Sequence, residues 1–76
     1  MMTAKDFEAG AEALAIVRAS LEGYRERNEN IYVGAVAGFT AAVEAFVYVS
    51  RQSNVRFNED RFRLVLAREI EKRIQK

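Results

Sequence analysis

The chain has 76 residues, a formal net charge of +1 and no Cys, His, Trp or Pro, so it is one domain in size and carries no disulfide framework, no thiol or imidazole nucleophile and no zinc-type ligand set. Half of its residues are hydrophobic and 30% are charged, too apolar for a disordered chain and too charged for one mostly buried in lipid. A domain this short buries only about 60% of the surface its unfolded chain exposes, which leaves tight helix packing, oligomerisation or a bound partner as sources of extra stability.

The first element opens at Thr3-Ala4-Lys5-Asp6, where the Thr oxygen can accept from a free helix amide and the acid faces the positive end of the dipole. Phe7, Gly10, Leu14, Val17, Leu21 and Tyr24 then recur at spacings of three and four, opposite Glu8, Glu12, Arg18, Glu22 and Arg25. That periodicity predicts an amphipathic helix over about residues 4–27. The early apolar run, 13–17, is short and follows Asp6, Glu8 and Glu12, so it does not read as a secretory signal. A cytoplasmic location is expected.

Asn28 or Asn30 supplies the next N-cap, and from Ile31 to Ser50 the only charge is Glu44. A helix over about 30–52 follows, with two unlike sides. Tyr32, Val33, Val36, Phe39, Val43, Phe46 and Val47 are large, whereas Gly34, Ala35, Gly38, Ala41, Ala42 and Ala45 lie opposite and are small. The length matches a bilayer span, but Glu44 costs on the order of 3 kcal/mol near a bilayer centre, and the Ala and Gly content is weakly hydrophobic. No membrane is expected. Gly34-x-x-x-Gly38, extended by Ala42, allows close helix approach, either inside the monomer or between subunits. Because three helices leave edges around a two-faced central one, the expectation tilts to a homo-oligomer, with Gly34, Gly38, Ala41, Ala42, Ala45, Leu14 and Leu21 as candidate interface. Glu44 must reach solvent or a partner; Tyr48, one turn away, could hydrogen-bond to it, but a solvated gap between the two neighbouring helices is expected.

In the third element Asn58 is the expected N-cap, Glu59 and Asp60 fill the first turn, and Phe57 and Phe62 form a hydrophobic staple. Phe62, Leu66, Ile70 and Ile74, flanked by Val65, predict a helix over about 59–75 with one buried stripe. The charge is uneven: residues 1–50 hold four basic and seven acidic groups, residues 51–76 eight and four. Arg61, Arg68, Lys72 and Lys76 share a face, with Arg56 and Arg63 near it, and such a face can neutralise the phosphates of a nucleic acid or nucleotide. The interleaved Glu69 and Glu71 and the ordinary preference for cations at helix C-termini favour a merely solvated face.

Catalytic candidates are sparse. Ser20, Ser50 and Ser53 have no His partner, and no phosphate-cradling Gly-rich loop or nucleophile elbow occurs. Glu22, Glu26 and Glu29 match no specific carboxylate spacing. No enzyme activity, metal or cofactor is expected.

Two stretches, Thr3-Ala4-Lys5-Asp6-Phe7 and Asn54-Val55-Arg56-Phe57-Asn58-Glu59-Asp60-Arg61-Phe62, resemble short uncharacterised proteins of bacteriophages and prophages, which often open with Thr-x-Lys-Asp-aromatic and close with Arg-Phe-Asp-x-x-Arg-Phe. Asn58 stands where Asp is usual, and the middle segment is longer and more apolar. The resemblance implies a small accessory protein with no assigned activity; it transfers no site residues. Its partner would be a host protein, met in the host cytoplasm. Together these readings predict one all-α domain over 1–76, a three-helix antiparallel bundle completed by oligomerisation.

Overall fold

Each helix begins at a side-chain cap. The computed structural model describes residues 2–75, and among them the elements are α1 (Ala4–Leu21), a short 3-10 turn (Glu22–Tyr24), α2 (Glu29–Ser53) and α3 (Glu59–Ile74), with no strand. Thr3 and Asp6 form a reciprocal capping box: the Thr3 amide donates to Asp6 Oδ2 at 2.8 Å, and the Asp6 amide donates to Thr3 Oγ1 at 3.4 Å. Asn28 caps α2 through the Ile31 amide, and Asn58 caps α3 through the Arg61 amide. Each such cap is worth about 1 kcal/mol.

The first helix is shorter than its periodicity suggested. It ends at Leu21 and tightens into the 3-10 turn instead of continuing to Arg27. Gly23 is a weak helix former, and the chain must turn early for Asn28 to reach its capping position. The Asn28 amide donates to the Tyr24 carbonyl within that turn.

Successive helices run in opposite senses. Between α1 and α2, Gly10 meets Phe46 and Arg18 meets Tyr32; between α2 and α3, Arg51 pairs with Glu59 and Phe46 stacks on Phe62, ring centres 5.1 Å apart. The backbones of α1 and α3 approach most closely, whereas α2 and α3 meet through long side chains. The core draws two residues from each helix: Ala11 and Ala15, Val43 and Val47, Phe62 and Leu66. Leu14, Phe39, Phe46, Phe57, Val65 and Ile70 pack around it.

Small residues on α1 set this arrangement. Ala11 and Ala15 are fully buried, and a Cβ added at Gly10 would lie 2.2 Å from Cζ of Phe46. The Phe46 ring therefore sits directly on the α1 backbone. Val17, Tyr24, Val33 and Ile74, all expected on apolar faces turned inward, are exposed. Val17 and Val33 lie at the margins of their buried faces, and Ile74 is the last residue of α3, so neighbouring helices do not reach them.

The result is elongated, 41 × 24 × 16 Å, with a radius of gyration of 13.2 Å against about 11 Å for a compact chain of this length. A 25-residue helix is about 37 Å long, so α2 runs nearly the whole length of the molecule.

Candidate functional site

Helix α2 turns most of its large side chains inward and most of its small ones outward; of the two sides read from sequence, Val33 is exposed and Ala35 is half-buried beside the inner face. Val43 and Val47 are buried and Phe39 and Phe46 pack on the core, while Gly34, Gly38, Ala41, Ala42 and Ala45 are all exposed. Space beside the two glycines is open: a Cβ added at Gly34 or Gly38 would meet nothing within 4 Å. Larger apolar side chains flank this stripe, with Ile31 and Val33 near one end and Tyr48 and Val49 near the other, all at least half exposed. By length and composition alone α2 is apolar enough to cross a membrane, and only 17% of its most apolar window is buried within the fold.

Leu14 and Leu21, grouped with that stripe by sequence, sit elsewhere. Both are half-buried on α1, and Leu14 packs against the core, so the structure does not join them to the outward face of α2. Glu44 lies at the edge of the same helix, where Arg63 donates to its Oε1 at 2.8 Å. Arg63 also bonds Glu59, which pairs in turn with Arg51. The acid thus reaches solvent, as expected, but its partner is Arg63 on α3 and not Tyr48.

A second feature lies at the opposite side, where the N-terminal turns of α1 and α3 meet the loop between α2 and α3. Three rings form a tilted chain: Phe7 and Phe57 have centres 4.6 Å apart, and Phe57 and Phe62 5.7 Å. They floor a half-open cavity of about 240 Å³ whose rim carries Arg56, Arg61, Glu8 and Asn58. Asn54 holds the loop in place. Its side-chain amide donates to the Met2 carbonyl, its Oδ1 accepts from the Arg56 amide, and the Met2 amide donates to Ser53 Oγ.

The basic residues of the C-terminal third divide according to partner. Arg56 and Arg61 line the cavity and Arg68 is exposed, and among the described residues none of the three has an ion pair. Lys72 lies 3.7 Å from Glu69, Arg63 is taken by Glu44 and Glu59, and Lys76 lies outside the described residues. The basic face is therefore not one uniform stripe; two of its unpaired cations, Arg56 and Arg61, stand at the cavity, and Arg68 lies beyond it in the C-terminal half of α3.

A cluster that the sequence reading did not assemble joins α1 to the start of α2. Arg18 donates to Glu22 at 2.8 Å, and both Arg18 and Arg25 donate to the Tyr32 hydroxyl at 3.0 Å while lying over its ring. The Arg18 hydrogen bond, with a further contribution from Tyr32, holds the Glu22 carboxyl below the ordinary carboxylate range. The same bond to Glu22 raises the Arg18 guanidinium, and Tyr32 raises that of Arg25. The local signals were the Arg18–Glu22 spacing of four and the Glu22–Arg25 spacing of three, the latter a 3.6 Å ion pair; Tyr32 enters through tertiary packing.

The remaining candidate groups serve the fold. Ser20 Oγ donates to the Ile16 carbonyl and Ser53 Oγ accepts from the Met2 amide. Ser50 is fully buried, and its hydroxyl has no hydrogen-bond partner among the described residues. Among the described residues no group of three or more His, Cys, Asp or Glu side chains is placed to hold a metal. No family model, curated protein or solved structure matches the chain.

Proposed function

We propose that this protein is a small non-catalytic interaction module that assembles with copies of itself through the outward face of α2 and offers its remaining surface to a protein partner. The observation that carries this reading is the uncovered stripe from Gly34 to Ala45, open beside both glycines and flanked by exposed Ile31, Tyr48 and Val49. Helix backbones approach closely over such stripes and gain dispersion contacts along their length.

The exposed area agrees with it. A compact monomer of 8.6 kDa exposes about 4,700 Å² by the usual scaling, whereas this chain exposes 5530 Å². The excess of roughly 800 Å² goes with the elongated shape, along which exposed α2 runs nearly the whole length. Coverage by a second copy rather than by a bilayer is favoured by Glu44, which lies at the edge of the same helix and is bonded to Arg63 on a helix rich in charge. The resemblance of both termini to phage and prophage accessory proteins supports a host protein as the partner and the host cytoplasm as the location, an argument by analogy.

Size-exclusion chromatography with light scattering tests the assembly. The expected result is an integral multiple of 8.6 kDa; a monomer mass overturns the reading. The alternative, a binder of nucleic acid or small anionic nucleotides through Arg56, Arg61, Arg68, Lys72 and Lys76, draws on the free cations near the cavity. Three Tyr and no Trp make the protein absorb weakly, so co-purified nucleotide would dominate its spectrum. Phosphate binding would also weaken steeply with salt.

A further inference from the structure

We propose that the cavity between α1, α3 and their shared loop is an anchor site for one apolar side chain flanked by carboxylates in an acidic segment of a partner protein. The inference rests on the reading that the protein binds a protein partner, and it names where and by what chemistry. Size selects the occupant first. At about 240 Å³ and half open, the cavity is smaller than the roughly 300–1,000 Å³ typical of sites that enclose a small molecule, and it admits one ring-sized group whose remainder stays outside. Its floor is aromatic, the kind of desolvated pocket that receives an interface hot spot.

Charge selects what flanks that group. Arg56 on the loop and Arg61 on the first turns of α3 stand on the rim, Arg68 follows two turns later on the same face, and none of them is paired among the described residues. Glu8 on the α1 side of the rim confines the anionic end of the occupant to the loop and α3 side. Guanidinium groups in this position bond carboxylates with a planar fork. A nucleic-acid base fits less well. Stacking needs an open ring face, whereas Phe62 is 4% exposed and the three rings are tilted by 54° and 59° into a concave floor.

The test is a titration of the isotope-labelled full chain, followed by its amide resonances. The probes are the capped tripeptide glutamate–phenylalanine–glutamate, its counterpart with both glutamates replaced by glutamine, its counterpart with alanine in the centre, and a short oligothymidylate. The expected result is saturable shifts at Ala11, Phe57, Phe62 and Val65 with the first peptide, bound about fivefold more tightly than the glutamine version at low salt. Arg56→Gln or Arg61→Gln, both at exposed positions, removes that advantage while leaving the helical circular dichroism unchanged. Equal binding of the glutamate and glutamine peptides, binding of the alanine peptide as strong as that of phenylalanine, or no shifts with any probe overturns the proposal. Tighter binding of the oligothymidylate at the same amides overturns it in favour of a nucleic-acid site. Because α2 contributes only its C-cap, Asn54, to the cavity, failure here in protein that keeps its oligomer mass leaves the assembly through α2 standing.

Discussion

Gly10 on α1 and Gly38 on α2 both sit on small-residue faces of apolar helices, yet the fold uses them in opposite ways. Gly10 lies beneath the ring of Phe46, and no Cβ fits between them. Gly38 faces open space on a helix whose large side chains have already filled the interior. Small-residue spacing therefore marks a backbone that can be approached; it does not say which neighbour approaches it. Inside this monomer, the close approach belongs to α1, through Gly10, Ala11 and Ala15. The longer and more regular series on α2 is left uncovered among the described residues.

The inner region can be broken most severely at Phe62, which touches the rings of both Phe46 and Phe57. Phe62→Ala is expected to cost about 3–5 kcal/mol, enough to unfold a domain this small. Unchanged thermal stability would mean that α3 does not depend on this aromatic chain. Next in size is Gly10→Ala, whose added methyl displaces the tip of a ring held against Phe62, a cost of about 1–3 kcal/mol offset in part by up to about 1 kcal/mol of helix propensity. Gly38→Ala sharpens the contrast, since in the isolated monomer it gains up to about 1 kcal/mol of helix propensity and meets no neighbour. Denaturant titration of the two variants should give opposite signs at low protein concentration, and equal losses would refute the inner and outer assignment.

Ser50 supplies a smaller effect on the inner side. Its buried hydroxyl has no partner among the described residues, so Ser50→Ala removes an unsatisfied group at little change in volume and should raise stability by up to about 1 kcal/mol. A loss in thermal melts would show that the hydroxyl is satisfied in solution. The smallest effect belongs to Glu22. Its carboxyl is held below the ordinary value of about 4.3, so its stabilising contribution is present above that value and is lost as pH falls through its lowered folded value. Melting temperature should fall as the medium is acidified from about pH 5 to about pH 3, and Glu22→Gln should flatten part of that fall. Identical pH profiles for the two proteins would exclude a role for the Arg18–Glu22–Tyr32 cluster.

Much of the local architecture was legible because it is carried by residues close in sequence. The Thr3–Asp6 box, the Asn58 cap and the Phe57–Phe62 staple form as their spacing predicts, and of the two Asn residues open as the α2 cap the structure uses Asn28. The two-sided composition of α2 was equally plain, and large side chains turned inward because they bury the most apolar area. What was not legible depends on distant neighbours. The early end of α1, the choice of Arg63 over Tyr48 for Glu44, and the separation of Leu14 and Leu21 from the Gly34–Ala45 stripe all follow from how the helices are set against one another. The cavity was hidden for the same reason. It needs Phe7 beside Phe57, fifty residues along the chain, and Asn54 bonded to Met2.

The central claim is that the outward face of α2 is a contact surface between copies, and Gly38→Leu tests it most directly. A Cβ added at Gly38 meets nothing within 4 Å among the described residues, and a leucine there would wedge apart a second helix packed over the stripe. Light scattering of wild type and variant at matched concentration is the measurement. The account predicts a multiple of 8.6 kDa for the wild type and a shift to the monomer mass for Gly38→Leu, with helical content retained. Equal oligomer masses for the two proteins, or a wild type that is already monomeric, would contradict it.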